Sequence, residues 1–284
     1  MNKFKDKLPI ENITNIKNTR GGDVNDAYII ETADDKYFML VQKNRDQSFY
    51  NGEVEGLKLF EQIGVTGPRV IVSGQIEKDA YLVISFLEEG VSGSQAQLAE
   101  QVARLHKYHN PDEKFGFDYP HGGSDTFFTN DWTDSWLDII VNQRLDVLSE
   151  MITDMGLWNQ SDIQKYNKVR QIIIDEINNH DSKPSLLHGD LWGGNYMFLK
   201  DGRPALFDPS PLYGDREFDI GITTVFGGFD REFYEKYNEL YPLEDGWQFR
   251  IEFYRLYLYM VHMVKFGNTY RSSTDRTLDR ILKY

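Results

Sequence analysis

Hydrophobic and polar positions alternate with period two near the start of the chain and with helical period later on. Ala27–Ile30 and Tyr37–Val41 are rich in β-formers, and Ala33-Asp34-Asp35 supplies a turn between them, so residues 27–42 are expected to form a hairpin. Tyr50, Val54, Leu57 and Phe60 then fall on one helical stripe that stops at Gly64. Arg69–Val72 and Tyr81–Phe86 read as two further strands. After Glu88-Glu89-Gly90 the pattern turns helical. Ser94 and Gln97 have capping-box spacing ahead of Leu98, Val102 and Leu105. Trp136–Met151 and Ile163–Ile177 repeat the helical period, the second through Tyr166, Val169, Ile173 and Ile177. Glu232–Phe266 is helical and aromatic-rich, with a break near Pro242 and Gly246; its ladder of Phe253, Tyr254, Tyr257, Tyr259, His262 and Phe266 reads mainly as helix core. The sum is an α+β chain of two lobes. Residues 1–88 form a small antiparallel sheet with one helix, and residues 89–284 form a larger, mainly helical lobe.

Composition narrows the classes of function. The 284 residues are 40% hydrophobic and 14% aromatic, which fits a folded chain with a substantial core. There is no cysteine, so disulfides and thiolate metal sites are excluded. A formal net charge of −14 argues against broad nucleic-acid binding, which needs a basic footprint. No apolar run approaches the ~18 residues of a membrane helix. Met1-Asn2-Lys3-Phe4-Lys5 lacks the apolar core of a signal peptide, so the sequence reads as cytoplasmic.

The candidate chemistry lies in Leu187-His188-Gly189-Asp190-Leu191-Trp192-Gly193-Gly194-Asn195 and in Phe207-Asp208-Pro209. Asp190 and Asn195 have the spacing of a kinase catalytic loop. Asp190 is the candidate base for an acceptor hydroxyl; Asn195 and Asp208 offer the hard oxygens that suit magnesium. A lone His-Gly-Asp would be read as a turn, but here all three positions are filled. His188 reads as a structural histidine. Gly21-Gly22 with Asn25, just ahead of the hairpin, form a candidate loop over nucleotide phosphates, with a plain turn as the alternative. The charged run of Asp215, Arg216 and Glu217, continuing to Asp219, reads as a cluster that braces the catalytic loop.

Taken together these residues resemble the fructosamine kinase (ketosamine-3-kinase) family, relatives of aminoglycoside phosphotransferases. The resemblance runs from about Gly21 to Tyr270. It is densest at 187–195, Asp201-Gly202-Arg203-Pro204, 207–209, Tyr213–Glu217 and Phe226-Gly227-Gly228-Phe229, with further matches at Trp132–Trp136, Gln143-Arg144-Leu145 and Phe115-Gly116-Phe117. Trp192 and the Tyr213–Glu217 run are its most family-specific parts. It implies a protein-kinase-like fold, ATP with magnesium, and phosphorylation of the C3 hydroxyl of a ketosamine: a ribulosamine, erythrulosamine or fructosamine, free or on protein lysines. The phosphorylated adduct then falls apart, a reaction known as deglycation repair. By motif, Glu53 corresponds to the helix glutamate that pairs with the nucleotide lysine, and Phe86 and Leu87 to the hinge beside adenine. His188, Trp132, Trp192 and Asp215–Glu217 become candidates for substrate contact or loop support.

Two departures stand out. Where the family has a lysine on the second hairpin strand, this chain has Leu40. The nearest lysine, Lys43, is three residues on and by strand alternation faces the other way, unless a bulge brings it round; it stays the candidate nucleotide lysine. The loop after Phe117 keeps mainly Thr126, Asn130 and Trp132 of the family pattern. The first departure leaves open a nucleotide-binding pseudokinase. The second leaves open a kinase of another amino-sugar or small alcohol.

Overall fold

The computed structural model describes residues 4–19, 25–122 and 127–284. Gly21, Gly22 and Thr126 lie outside them. The chain packs as two compact units, one comprising Met1–Ser94 with Tyr196–Pro209, the other Gln95–Asn195 with Ser210–Tyr284.

In the first unit β1 (Asn15–Thr19), β2 (Asp26–Glu31), β3 (Lys36–Gln42), β4 (Val70–Ile76) and β5 (Asp79–Ser85) form one antiparallel sheet in the order β1-β2-β3-β5-β4. Strand alternation gives the sheet two different faces. Met39, Val41, Tyr81 and Val83 pack with Phe4, Leu8 and Ile13 from the N-terminal segment. Leu40, Leu82 and Ile84 pack on the opposite face with Tyr50, Val54 and Leu57. The last two belong to helix α1 (Asn51–Gln62). The spacing of Val54, Leu57 and Phe60 thus lays α1 against the Leu40 face.

The second unit begins with α2 (Gln95–His106). There follow the short pair β6 (His121–Gly122) and β7 (Phe127–Phe128), a π-helical stretch (Asp138–Leu145), α3 (Asp146–Asp154) and α4 (Gln160–Asn178). β8 (Ser185–Leu187) leads into the catalytic-loop sequence. The hairpin β9 (Tyr196–Phe198) and β10 (Pro204–Leu206) follows, and then β11 (Leu212–Gly214), which pairs with β8. α5 (Glu217–Thr223), α6 (Arg231–Leu240), α7 (Trp247–Phe266) and α8 (Arg271–Lys283) complete the unit. Gly246, at φ +83°, starts α7 after the break foreseen near Pro242.

Sequence reasoning assigns the β9–β10 hairpin to the large lobe, whereas the structure packs it with the small sheet. The reason is main-chain pairing: Gly90 N donates to Phe198 O at 2.7 Å, Lys200 N to Glu88 O at 3.0 Å and Leu206 N to Thr66 O at 2.9 Å. Such pairing is invisible to hydrophobic periodicity. β1 and α8 are also absent from the sequence reading. β1 is mostly polar (Asn-Ile-Lys-Asn-Thr), and two of the four buried positions of α8 are threonines, Thr274 and Thr277.

Candidate active site

In the second unit, the residues before the catalytic loop are anchored by burial. Leu186 and Leu187 are fully buried, and Leu187 pairs with Leu212 across β8 and β11. The chain then turns sharply. Gly189 adopts φ +80°, and a Cβ there would lie 1.8 Å from Ser210 O, so no other residue fits. The turn is fastened by Asp219, whose carboxylate accepts from His188 N at 2.7 Å and from Gly189 N at 3.0 Å. Asp219 is fully buried and also meets His106 Nε2 at 3.1 Å, while His106 Nδ1 meets Tyr237 Oη at 2.7 Å. Two orphan loop amides and a buried carboxylate thus satisfy one another. Within the charged run, Asp219 is the residue that holds the catalytic loop.

The loop delivers Asp190 and Asn195 to each other. Asn195, buried, donates from Nδ2 to Asp190 O at 2.8 Å and to Asp190 Oδ2 at 2.9 Å. Both bonds require the amide nitrogen on that side, which turns the Asn195 Oδ1 acceptor away from Asp190. His188 is buried, and its Nδ1 accepts from Asp190 N at 3.4 Å. Tyr257 stands near Asp190 electrostatically. Burial, the Asp190 charge and the opposing effect of Arg144 together push its hydroxyl up to about 12.

The first unit carries the other candidate carboxylates. Asp208 follows β10 in the left-handed region at φ +56°, a conformation that costs a non-glycine residue roughly 1–2 kcal/mol and concentrates at functional sites. Its side chain is solvent-exposed, yet the surrounding protein raises its carboxyl above the ordinary value by desolvation. Glu53, on α1, is raised well above its ordinary value, first by burial and then by the Asp208 charge. Tyr50, buried beside them, donates to Asn25 Oδ1 at 2.8 Å. Leu40 is 7% exposed in the apolar cluster with Tyr50, Val54 and Leu57. Lys43 is exposed and paired with Asp26 Oδ2 at 2.7 Å. Among the described residues, no basic side chain forms an ion pair with Glu53. Phe86 and Leu87 lie just beyond Tyr37↔Ser85, the last pair of the β3–β5 ladder, and are partly buried.

Asp215, Arg216 and Glu217 are engaged within the second unit. Asp215 accepts from Ser182 Oγ at 2.7 Å and from Glu217 N at 2.8 Å, and contacts His180 Nε2 at 2.8 Å. Glu217 takes a two-pronged bond from Arg250, at 2.8 and 2.7 Å. Arg216 caps the Tyr241 carbonyl at 2.6 Å and lies 3.7 Å from the Tyr241 ring centroid. Trp192 and Trp132 are each 40% exposed. Trp192 meets Phe226 edge to face, and a Cβ at Gly194 would strike its ring at 2.2 Å. Trp132 donates from Nε1 to Asp118 Oδ1 at 2.8 Å.

The donor chemistry suits a hard divalent cation. Asn195 Oδ1 and the Asp208 carboxylate are oxygen ligands of the kind magnesium takes, and the Asp190 bond fixes the orientation of the first. Sequence reasoning named no site role for Arg144, which entered only through the Gln143-Arg144-Leu145 match, or for Tyr257, which lies in the aromatic ladder read mainly as core. No helix among the described residues is long and apolar enough to cross a membrane.

Comparison with known proteins agrees with these features. The family model described as fructosamine kinase matches residues 3–284. A Staphylococcus aureus protein named probable ketoamine kinase is 58% identical over 276 residues, covering 97% of this chain and 96% of that protein. A chloroplastic protein-ribulosamine 3-kinase of Arabidopsis thaliana is 30% identical over 275 residues, covering 95% and 83%. Among solved structures, a Haemophilus somnus protein assigned as a fructosamine-3-kinase superposes with a TM-score of 0.84. It is 27% identical, with 95% of this chain and 92% of that one covered.

Proposed function

The chain belongs to the fructosamine kinase family, and from that premise we propose that it transfers the γ-phosphoryl group of ATP to the C3 hydroxyl of a ketosamine. The acceptor class is a ribulosamine, erythrulosamine or fructosamine, free or on a protein lysine. Phosphorylation at C3 makes the adduct prone to break down, which places the reaction in deglycation repair.

The observation that carries this reading is the Asp190–Asn195 pair, bonded at 2.8 and 2.9 Å on a loop fastened by Asp219. Asp190 accepts the proton of the attacking hydroxyl. Most of the acceleration comes from holding that hydroxyl in line and from stabilising charge. Asn195 Oδ1 and the Asp208 carboxylate are each an oxygen ligand that would suit magnesium, which when bound would neutralise charge on the transferring phosphates. Asp208 sits in the left-handed backbone region, where strain concentrates at functional sites. Phe86 and Leu87 offer main-chain groups to the adenine edge, and Asn25 marks the end of the phosphate loop.

Leu40 favours a second reading, a nucleotide-binding protein without transfer, because Glu53 has no lysine partner on β3. One assay separates the two. ADP release is followed with ribulosyl-, erythrulosyl- and fructosyl-lysine, alongside calorimetry of ATP binding with magnesium. Acceptor-dependent ADP release that disappears in Asp190→Ala supports the kinase. Metal-dependent ATP binding with no acceptor-dependent release supports the second reading. Transfer only to some other alcohol overturns the ketosamine assignment.

A further inference from the structure

The loop in which this chain departs from the family pattern carries a histidine tied to the catalytic loop. His121 lies on β6 opposite Phe128 of β7, their ring centroids 5.7 Å apart. Its Nδ1 is hydrogen-bonded to Ser210 Oγ. Ser210 N donates in turn to His188 O at 2.8 Å, and Ser210 O closes over Gly189. The imidazole is therefore linked, through one serine, to the two residues that precede Asp190.

Its surroundings set its chemistry. Arg144, buried, donates to Thr129 O at 2.6 Å and to Asn130 Oδ1, and lies 4.8 Å from the Phe128 ring centroid. Burial, and then the Arg144 charge, push the His121 imidazole down to about 3, so it is neutral. A neutral imidazole with Nδ1 engaged has one ring nitrogen left, Nε2. That atom donates in one tautomer and accepts in the other. A hydroxyl serves either tautomer, because it both donates and accepts. An ammonium serves only one.

We propose that His121 is a specificity residue of the acceptor site, its Nε2 making one hydrogen bond to a sugar hydroxyl other than the one Asp190 deprotonates. The inference rests on the kinase reading above and deepens it. Ser210 is the anchor and Phe128 the backing; Nε2 does the recognising.

Two isosteres separate recognition from anchoring. In His121→Asn the amide nitrogen lies near the position of Nδ1, so the Ser210 bond is kept and the Nε2 position is lost. In His121→Gln the amide nitrogen reaches the Nε2 position. Losing one neutral hydrogen bond is worth about 3- to 10-fold in binding. With ribulosyl-lysine as probe, His121→Asn is expected to raise the acceptor KM by about that factor, while the KM for MgATP and the melting temperature stay unchanged. His121→Gln is expected to keep the acceptor KM near wild type. The reverse order, with Gln impaired and Asn intact, would assign His121 to anchoring alone and overturn the proposal. So would equal acceptor KM values in both variants and the wild type. If the wild type transfers phosphate to another alcohol and not to ribulosyl-lysine, the ketosamine assignment fails by itself. The same two variants, compared on that alcohol, then decide the role of His121.

Discussion

The two units carry their candidate carboxylates in opposite states. In the second unit, the catalytic-loop carboxylate and its brace are enclosed by donors: Asn195 on Asp190, and two amides and His106 on Asp219. In the first unit, Glu53 lies near another carboxylate, Asp208, and the β3 face toward α1 is filled by Leu40. Geometry in the second unit is thus fixed by the protein's own hydrogen bonds. In the first unit, burial raises both Glu53 and Asp208 above their ordinary values, and for Glu53 the Asp208 charge adds to it, which favours their protonated forms.

The sharpest way to break this contrast is to remove the proposed base. Asp190→Ala is expected to lower kcat by about 10²- to 10⁴-fold, the usual contribution of a positioned general base. Calorimetric ATP affinity should change little, because the loop stays fastened by Asp219. A variant with ordinary kcat would show that Asp190 is not the base. Asp219→Ala comes next. It strands the His188 and Gly189 amides and is expected to cost about 3 kcal/mol in denaturant unfolding, within the range for leaving buried polar groups unpaired. The kcat should fall with it, since the Asp190–Asn195 geometry loses its support. An unchanged unfolding midpoint would mean that the bracing is redundant.

The first unit is tested by restoring what it lacks. Leu40 packs on the same sheet face as α1, so Leu40→Lys brings an ammonium to the side that carries Glu53. The expected result is a fall of about fivefold in the KM for MgATP, equivalent to about 1 kcal/mol. Adding Glu53→Gln should abolish that gain and lower the melting temperature, because the lysine is then buried without a counter-charge. If the single variant binds ATP more weakly, the face has been rebuilt around leucine and Glu53 serves another purpose.

The two units were also unequally legible. The sheet strands and α1 follow directly from alternation at 27–42 and from the stripe Val54, Leu57, Phe60, since local pattern and burial coincide there. The Asp190–Asn195 pairing was legible because its spacing is tied to a single loop. The brace on that loop was readable only as a charged run. That Asp219, rather than Asp215 or Glu217, accepts the loop amides depends on a helical turn of α5 that no spacing rule specifies. His121 is the extreme case. Its partners Ser210 and Arg144 lie 89 and 23 positions away, and only tertiary packing brings them to it.

The smallest expected effects are a cost in one unit and a gain in the other, each confined to its own pH range. His180 is raised above its ordinary value: burial opposes protonation, but the bond to Asp215, and then the Asp215 and Glu217 charges, outweigh it. Asp215 is lowered: burial opposes ionisation, and the His180 bond and charge, with Ser182, outweigh it. The stability from His180 is therefore full below the ordinary histidine range and is lost as pH rises through the raised value. The part from Asp215 is lost only as pH falls below the carboxylate range. His180→Gln should accordingly cost about 1–2 kcal/mol near pH 6 and much less near pH 9. Glu53 is raised by burial and by Asp208, so the wild type is penalised once pH climbs past its ordinary range. Glu53→Gln should then raise the melting temperature at pH 8 without metal, and the gain should fade toward pH 4. A loss of stability in His180→Gln near pH 6 together with a gain in Glu53→Gln at pH 8 would show that one unit holds a compensated ion cluster and the other an uncompensated carboxylate. A loss rather than a gain in Glu53→Gln at pH 8 would place a cation beside Glu53 even without metal, and the contrast between the units would fall.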